Sequence, residues 1–382
     1  MNRDPIELRS AFTGLLATPV VNRRSHPELW PLVWRHRATL IDWFANRLAY
    51  RLVVTDLSAR LFRLPIAGRV TAPARYAQPA RRVLVLAILA AAAAEDAGDL
   101  TTTQELSDRV RGLTRHPEVE LAPYDPDRFA ERLLFVKATE LLQATGALWP
   151  AGRHDAERRE SWAHQTDRIG GALEVRRDLL LRMVDPASLT AALNEGPPGA
   201  GEEASARFAV MRRLIELPVC LREDLTEAER GYLANQQRRL VGWCEEMTGW
   251  VAEQRAEGIA LIVAEENSTD LPFPRLRALD FLALILLDEL LRRSREGAER
   301  GWFDRRILRE ASEEVRARYP KAVTKDFVGA DALETACMDL LAALDLVRSV
   351  APGRWRLTAP AARFRDPKVV AVTASLDAEV DG

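Results

Sequence analysis

The chain has 382 residues, of which 47% are hydrophobic and 29% are charged, and its formal net charge is -2. A chain of this length and balance is an ordinary globular protein of two or three domains. The longest apolar run, Val83 to Ala94, is shorter than the roughly 20 residues that span a bilayer. The amino terminus lacks a signal-peptide pattern, and the three cysteines form no C-x-x-C pair. We therefore expect a cytoplasmic protein that has no membrane contact.

Charge is distributed unevenly along the chain. Residues 1–82 contain fourteen arginines and five acidic residues, a net charge of +9, whereas the other 300 residues carry 40 basic and 51 acidic side chains, a net charge of -11. A basic head and an acidic body indicate different partners for the two parts. The alternative is that the basic segment packs against its own acidic body.

Helix signals dominate the first part of the chain. Asp4-Pro5-Ile6-Glu7 offers a cap followed by a first-turn proline, and Ser25-His26-Pro27-Glu28 has the pattern of a capping box. Large apolar residues recur at helical spacings from Pro27 to Leu52, with arginines between them. Residues 1–80 are therefore predicted to form a basic helical arm.

The next region, residues 81–193, has the element order of a winged-helix domain. A buried helix over 82–95 precedes a shorter helix that begins with the capping-box pattern Thr102-Thr103-Gln104-Glu105. A longer helix runs from Asp125-Pro126 to Gly146, and two short strands follow at 147–149 and 173–175. The two strands would form the wing.

The remaining boundaries follow from breaker-rich segments. Residues 194–206 read as a flexible linker, and residues 207–272 as a helix capped at Thr226 plus a hairpin that turns at Glu257-Gly258. The winged-helix order then recurs over 273–370, with helices at 281–291, from Asp304, and at 326–347, before a strand pair. Residues 371–382 are predicted to be a disordered tail. The predicted fold class is mainly α with small β wings (α+β), built as tandem winged-helix domains.

Common catalytic signatures are missing from the sequence. None of the four lysines follows a glycine as in a Walker A loop, no serine lies in a G-x-S-x-G elbow, and no H-E-x-x-H pair occurs. We predict no enzyme activity, no catalytic residue, no metal ligand and no cofactor. One alternative is a metal-dependent nuclease that uses the carboxylates near the hairpin, although no lysine lies near them: Glu253, Glu257, Glu265, Glu266 and Asp270.

The third helix of each predicted domain is poorly suited to reading DNA. Groove-reading helices expose Arg, Lys, Asn or Gln. In the first domain acidic and basic residues nearly balance, and in the second the residues beside the apolar stripe are acidic, so we predict a protein-binding face there: Asp331, Glu334, Asp339 and Asp345. A winged-helix transcriptional regulator is the other alternative, and the acidic helix disfavours it.

Positive charge lies instead in the arm and in the first wing. These arginines are predicted to contact the backbone of double-stranded DNA without reading its sequence: Arg23, Arg24, Arg35, Arg37, Arg81, Arg82, Arg153, Arg158 and Arg159.

Five stretches of the sequence resemble a bacterial family encoded beside an SMC-like ATPase in Wadjet-type plasmid-defence systems. They are RSHPELWPLVWRHRATLIDWF, LTEAERGYLANQQRRL, VAEQRAEGIALI, NSTDLPFP and PAARFRDP. The corresponding subunit is similar to KITE proteins, which are tandem winged-helix dimers that bind the kleisin bridging the SMC heads. The resemblance implies a homodimeric, kleisin-binding subunit near DNA. It assigns ATP hydrolysis to the SMC subunit and DNA cleavage to a separate toprim-type nuclease.

Overall fold

The computed structural model describes residues 4–66, 79–116, 120–193, 201–263, 269, 271–296, 301–323, 327 and 329–369. The chain forms two compact units. One comprises Met1–Leu217, Asp224–Glu253 and Leu261–Asp270, and the other comprises Pro218–Glu223, Gln254–Ala260 and Leu271–Gly382. The predicted tail and residues 194–200 of the predicted linker lie outside the described residues.

The amino-terminal segment contains a small sheet as well as helices. Its elements are α1 (Asp4–Ala17), β1 (Val20–Asn22), α2 (Leu29–Arg35), α3 (Arg37–Trp43), a π-helical turn (Phe44–Leu48), β2 (Arg51–Val54) and β3 (Ser58–Phe62). The strands pair in the order β1-β3-β2. The predicted helical arm is therefore helical only in part, because Leu52 and Leu61 face each other across β2 and β3 and are both buried.

The start of α2 also differs from the prediction. The expected capping box at Ser25–Glu28 does not form, and Glu28 at the helix start makes no side-chain cap. The Asn22 side-chain oxygen instead accepts hydrogen bonds from the backbone N–H groups of Arg24 at 3.0 Å and Ser25 at 2.7 Å. This local turn competes with a helix start at Ser25.

The second segment follows the predicted winged-helix order, with added elements. It contains α4 (Arg81–Glu95), β4 (Leu100–Thr102), α5 (Thr103–Thr114), α6 (Phe129–Ala144), β5 (Leu148–Pro150), α7 (Asp155–Ala163) and β6 (Ala172–Val175), with the strands in the order β4-β6-β5. Thr102 caps α5, but the Glu105 carboxylate accepts from Thr101 at 3.0 Å, so only half of the predicted capping box forms. The short helices α8 (Arg177–Leu180) and α9 (Pro186–Leu193) follow.

In the third segment a 3-10 turn takes the place of the second helix. Its elements are α10 (Glu202–Glu216), β7 (Cys220–Leu221), a 3-10 turn (Arg222–Asp224), α11 (Glu227–Thr248), β8 (Val251–Gln254) and β9 (Gly258–Ile262), with the strand order β7-β9-β8. Helix α10 begins inside the predicted linker. The predicted cap of α11 is confirmed as a complete capping box between Thr226 and Glu229.

The fourth segment matches the predicted second winged-helix domain. It contains α12 (Ala278–Glu296), β10 (Trp302–Asp304), α13 (Arg305–Arg318), α14 (Ala330–Ala343), β11 (Val347–Ala351) and β12 (Arg354–Leu357), with the strand order β10-β12-β11. Its core joins the apolar sides of all three helices. Even α12, with its run of leucines, does not qualify as a membrane span, and neither does any other helix in the described ranges.

All four segments share one order of elements. Each runs helix, strand, helix, helix, strand, strand. The second segment has α7 inserted between its last two strands, and the third has the 3-10 turn in the place of its second helix. Each sheet places its third strand between the first and the second. This is the winged-helix arrangement. The predicted fold class, mainly α with small β wings, is confirmed, and the winged-helix order extends to the predicted arm and middle region.

Candidate nucleic-acid and partner interfaces

The first wing exposes fewer free arginines than the sequence suggested. Helix α7 is inserted between β5 and β6, and Arg153 just before it is exposed. Arg158 donates a hydrogen bond to Asp167 at 2.7 Å, which, with two backbone N–H groups of the same loop, lowers the pKa of Asp167 to about 2. Because this carboxylate is ionised at neutral pH, most of the Arg158 charge is compensated inside the wing.

Arg159 lies inside the wing. Only 5% of the residue is exposed, and this burial disfavours its predicted contact with DNA. Its Nε and Nη1 atoms have no hydrogen-bond partner in the described part of the chain, and burial lowers the pKa of its guanidinium, against the opposing effect of Glu140 and Asp155. A buried arginine of this kind costs stability unless something satisfies it.

Two arginines of the predicted DNA-binding set form hydrogen bonds or ion pairs with other residues of the protein. Arg82 donates to the backbone oxygens of Ala122 at 2.9 Å and Pro123 at 3.0 Å, and to the Glu131 carboxylate at 2.6 Å. Arg35 forms an ion pair with Glu7. Both side chains therefore have a structural role, and the sequence could not reveal it because their partners come from other elements.

The remaining arm arginines are more accessible. Arg24 lies over the ring of Trp149 at 4.0 Å and Arg37 over that of Trp34 at 4.4 Å. Arg23 and Arg81 are exposed, and no carboxylate pairs with either of them among the residues that the structure describes. The predicted basic surface is thus reduced to a few dispersed side chains.

The outward face of α6 is close to neutral. Arg132 is buried and donates to the backbone oxygens of Pro126 at 2.7 Å and Ala163 at 2.8 Å. The exposed side chains of this helix include two large apolar residues, one cation and one anion: Phe129, Leu133, Lys137 and Glu140. This composition is unlike that of a groove-reading helix.

The acidic residues near α14 are only partly available to a partner. Glu334 is 5% exposed and lies 2.7 Å from Arg309, so its predicted place on the surface is wrong. Asp331 also pairs with Arg309 but is exposed, and Asp345 pairs with Arg348 at 2.6 Å. Asp339 is exposed and has no partner in the described ranges.

The hairpin carboxylates form no metal centre within the described residues. Glu253 and Glu257 flank the turn between β8 and β9, whereas Glu265, Glu266 and Asp270 lie outside the described residues. Within the described residues no group of three or more His, Cys, Asp or Glu side chains is arranged to bind a metal ion.

A cluster of arginines around Trp243 was not anticipated. The Arg47 guanidinium lies 3.5 Å from the Trp243 ring centroid and that of Arg239 lies 5.0 Å from it. Burial lowers the pKa of Arg47, and the nearby positive charges of Arg207 and Arg239 lower it further. Arg239 and Trp243, one helical turn apart on α11, are neighbours in the sequence pattern. Arg47 and Arg207 come from the π-helical turn and α10, and no local signal could have placed them here.

Comparison with known proteins identifies a family for the chain. No curated protein and no solved structure matches it significantly. A family model with the description "Protein of unknown function (DUF2398)" matches residues 12–367, which include all four winged-helix segments except the start of α1. Because the match extends over most of the chain, the protein belongs to the DUF2398 family.

Proposed function

We propose that this protein is a non-catalytic, KITE-like subunit of an SMC–kleisin complex that acts against plasmids. The observation that carries the proposal is the repeated winged-helix order together with the near-neutral face of α6 and the acidic residues of α14. An acidic face repels phosphate and a neutral face does not attract it, so both are better suited to contacts with proteins. The protein would act as a homodimer, while ATP hydrolysis and DNA cleavage would belong to the SMC-like ATPase and a toprim-type nuclease.

The kleisin would bind to the fourth segment. Asp339 and Asp331 are exposed on α14, and the charge of Asp339 has no compensating partner in the described ranges. A basic segment of the kleisin would pair with these carboxylates. Exposed ion pairs each contribute little binding energy, so the apolar surface of the partner would supply most of the affinity. The charges would set the orientation of the bound partner.

DNA would be held through phosphate contacts. Arg23, Arg81 and Arg153 are exposed arginines of the arm and the first wing that remain free to reach a backbone. Contacts of this type are tolerant of sequence and sensitive to salt. Since they are few and dispersed, they would support DNA held by the whole complex.

The experiment that tests the proposal is affinity purification of the tagged full-length protein from its native host, followed by mass spectrometry and light scattering. Recovery of an SMC-like ATPase and a kleisin, with two copies of this chain, is the expected result. Recovery of the protein alone would contradict it. Specific binding to one operator would then favour the regulator, and magnesium-dependent cleavage that depends on Glu265 and Asp270 would favour the nuclease.

The kleisin surface is tested in the same preparation. Asp339→Lys should reduce the amount of kleisin recovered, because it places a cation where we propose that a basic segment binds. Glu313→Lys is the matched control, since Glu313 is an exposed acidic residue of the neighbouring helix α13. Equal kleisin recovery with both variants would remove α14 from the proposed interface.

A further inference from the structure

Helix α11 occupies the position of the third helix in its winged-helix segment. It follows α10, β7 and the 3-10 turn, and it precedes β8 and β9, with the strands ordered β7-β9-β8. In helix-turn-helix proteins the second helix of the motif, which corresponds to this third helix, enters the major groove. The sequence pattern of this region predicted a helix plus a hairpin, without a helix that contacts DNA.

The exposed face of α11 has the composition that those two helices lack. Between residues 230 and 244 the solvent-exposed residues are small or carry hydrogen-bond donors, whereas the exposed Glu227 and Glu246 lie at the two ends of the helix. The exposed residues of the middle part are Arg230, Gly231, Ala234, Asn235, Arg238, Arg239 and Gly242. No acidic residue occurs between Glu229 and Glu245. Arginine and asparagine are the side chains that most often contact phosphates and base edges.

The two glycines of this face have no role in packing. A Cβ atom at Gly231 or at Gly242 would meet no other atom within 4 Å. Glycine inside a helix is unfavourable relative to alanine, and neither position gains a close contact in return within the described residues. Their absence of side chains lets an external surface approach the helix backbone closely.

Positive charge is clustered beside the same helix. Arg207 and Arg239 both lie close enough to Arg47 to lower the pKa of its guanidinium, and the charge of Glu246 opposes them only in part. None of the three arginines forms an ion pair with a carboxylate in the described ranges. The Nε atoms of Arg47 and Arg207 are buried without a hydrogen-bond partner there. Like charges held together in this way are stabilised by an anion that binds among them.

The main chain also holds Arg47 in an unusual way. It lies in the π-helical turn, which ends at Ala49 with a left-handed φ of 55°. Single π-helical turns occur frequently at functional sites, and a left-handed alanine is unfavourable. The backbone strain therefore lies at Ala49, two residues after the arginine that supplies one of the clustered guanidiniums.

We propose that α11 is the DNA-contacting helix of this protein. Asn235 would face the groove of duplex DNA. The phosphates that border the groove would be contacted by four arginines: Arg238, Arg239, Arg47 and Arg207. The identification of the bound anion as DNA rests on the proposed function, whereas the basic surface is inferred from the residues of α11 themselves. An acidic protein segment is the other macromolecule with regular negative charge, and the experiment below distinguishes it from DNA.

The test is fluorescence anisotropy of the full-length protein with a labelled duplex of about 40 base pairs, at salt concentrations from about 50 to 200 mM. The double variant Arg238→Glu/Arg239→Glu should weaken binding by at least about tenfold and make the slope of log K against log salt shallower by roughly two, near 0.9 per lost phosphate contact. Both residues are exposed, so the fold should persist, and thermal melting checks this. Arg295→Glu, an exposed arginine of α12, is the matched control and should bind as the wild type does.

A second variant tests the close approach of the helix. Gly242→Leu adds bulk to the proposed contact surface but meets no other residue, so it should weaken DNA binding severalfold while the melting temperature stays equal or rises. Equal DNA affinities of the double variant and Arg295→Glu would overturn the assignment, even if the ATPase and the kleisin co-purify. Binding of polyglutamate but not of the duplex would overturn it in favour of an acidic protein partner.

Discussion

The hydroxyl group of Tyr50 donates a hydrogen bond to the carboxylate of Glu216, 166 residues later in the chain. Arg63 donates to the other oxygen of the same carboxylate at 2.7 Å. Tyr50 is 1% exposed and the Glu216 side chain is 5% exposed, so this network is buried. It joins the amino-terminal segment to α10 within one compact unit.

Removal of the Tyr50 hydroxyl should destabilise the protein. In Tyr50→Phe the buried Glu216 carboxylate loses one donor, and we expect a loss of about 1 to 3 kcal/mol in the free energy of unfolding. Urea unfolding followed by circular dichroism measures it. Tyr232→Phe is the control with a smaller expected effect, because within the described residues the Tyr232 oxygen accepts a single long hydrogen bond, of 3.4 Å, from Arg239. Equal losses of unfolding free energy in the two variants would contradict a stabilising role of the Tyr50–Glu216 hydrogen bond.

The same tyrosine should make the fold sensitive to alkali. Burial, and then the Glu216 charge, raise the pKa of Tyr50 well above 10.0. Because the folded state holds the proton more tightly, this contribution is complete below about pH 10 and is lost as the pH rises above it. The urea concentration at the unfolding midpoint, measured between about pH 8 and about pH 11, should fall as the pH rises. It should fall less steeply in Tyr50→Phe. Parallel curves for the two proteins would contradict the prediction.

Two positions with a left-handed backbone should respond in opposite directions. Ala49→Gly should raise stability by about 1 kcal/mol, because glycine adopts the φ of 55° without a steric penalty. Gly170→Ala should lower it by about 2 kcal/mol or more, since its φ is 74° and a new Cβ would lie 2.8 Å from the Thr103 Cβ. Thermal melting of both variants provides the comparison. A lower melting temperature for Ala49→Gly would contradict backbone strain at Ala49.

Replacement of Arg159 by an apolar residue of similar length should be tolerated. Because its Nε and Nη1 atoms are buried without a partner in the described residues, Arg159→Met should be neutral or stabilising by about 1 kcal/mol. DNA affinity should stay unchanged, in contrast to Arg153→Glu at the wing surface. A large loss of stability in Arg159→Met would mean that the guanidinium has a partner in solution.

The fourth segment depends on one buried ion pair at the start of α12. The Asp280 side chain is fully buried and accepts two side-chain hydrogen bonds from Arg275, at 2.9 and 3.0 Å, and one from its backbone N–H. Asp280→Asn should destabilise the protein by about 3 kcal/mol, because Arg275 keeps its charge after its partner is neutralised. Asp339→Asn, at an exposed position, should change stability little. Urea unfolding distinguishes them, and equal midpoints would contradict the role of the pair.

Local signals predicted most helices well. The helix after Thr226, the end of a helix near Gly146 and the start of a helix at Asp304 are confirmed because each depends on residues within one helical turn. The amino-terminal sheet was missed because its strands are only three to five residues long. Patterns of that length do not distinguish a strand from a helix end.

The sequence by itself determined that the chain is mainly helical, that its winged-helix order recurs, and where its net charge lies, because helix periodicity, caps and charge are properties of neighbouring residues. Only the tertiary structure decided which charges remain available. Arg159 and Glu334 became buried, Arg35 and Arg82 found partners in other elements, and Arg47 was placed beside Trp243. The physical reason is that burial and ion pairing depend on residues distant in sequence, which meet only after the segments have packed.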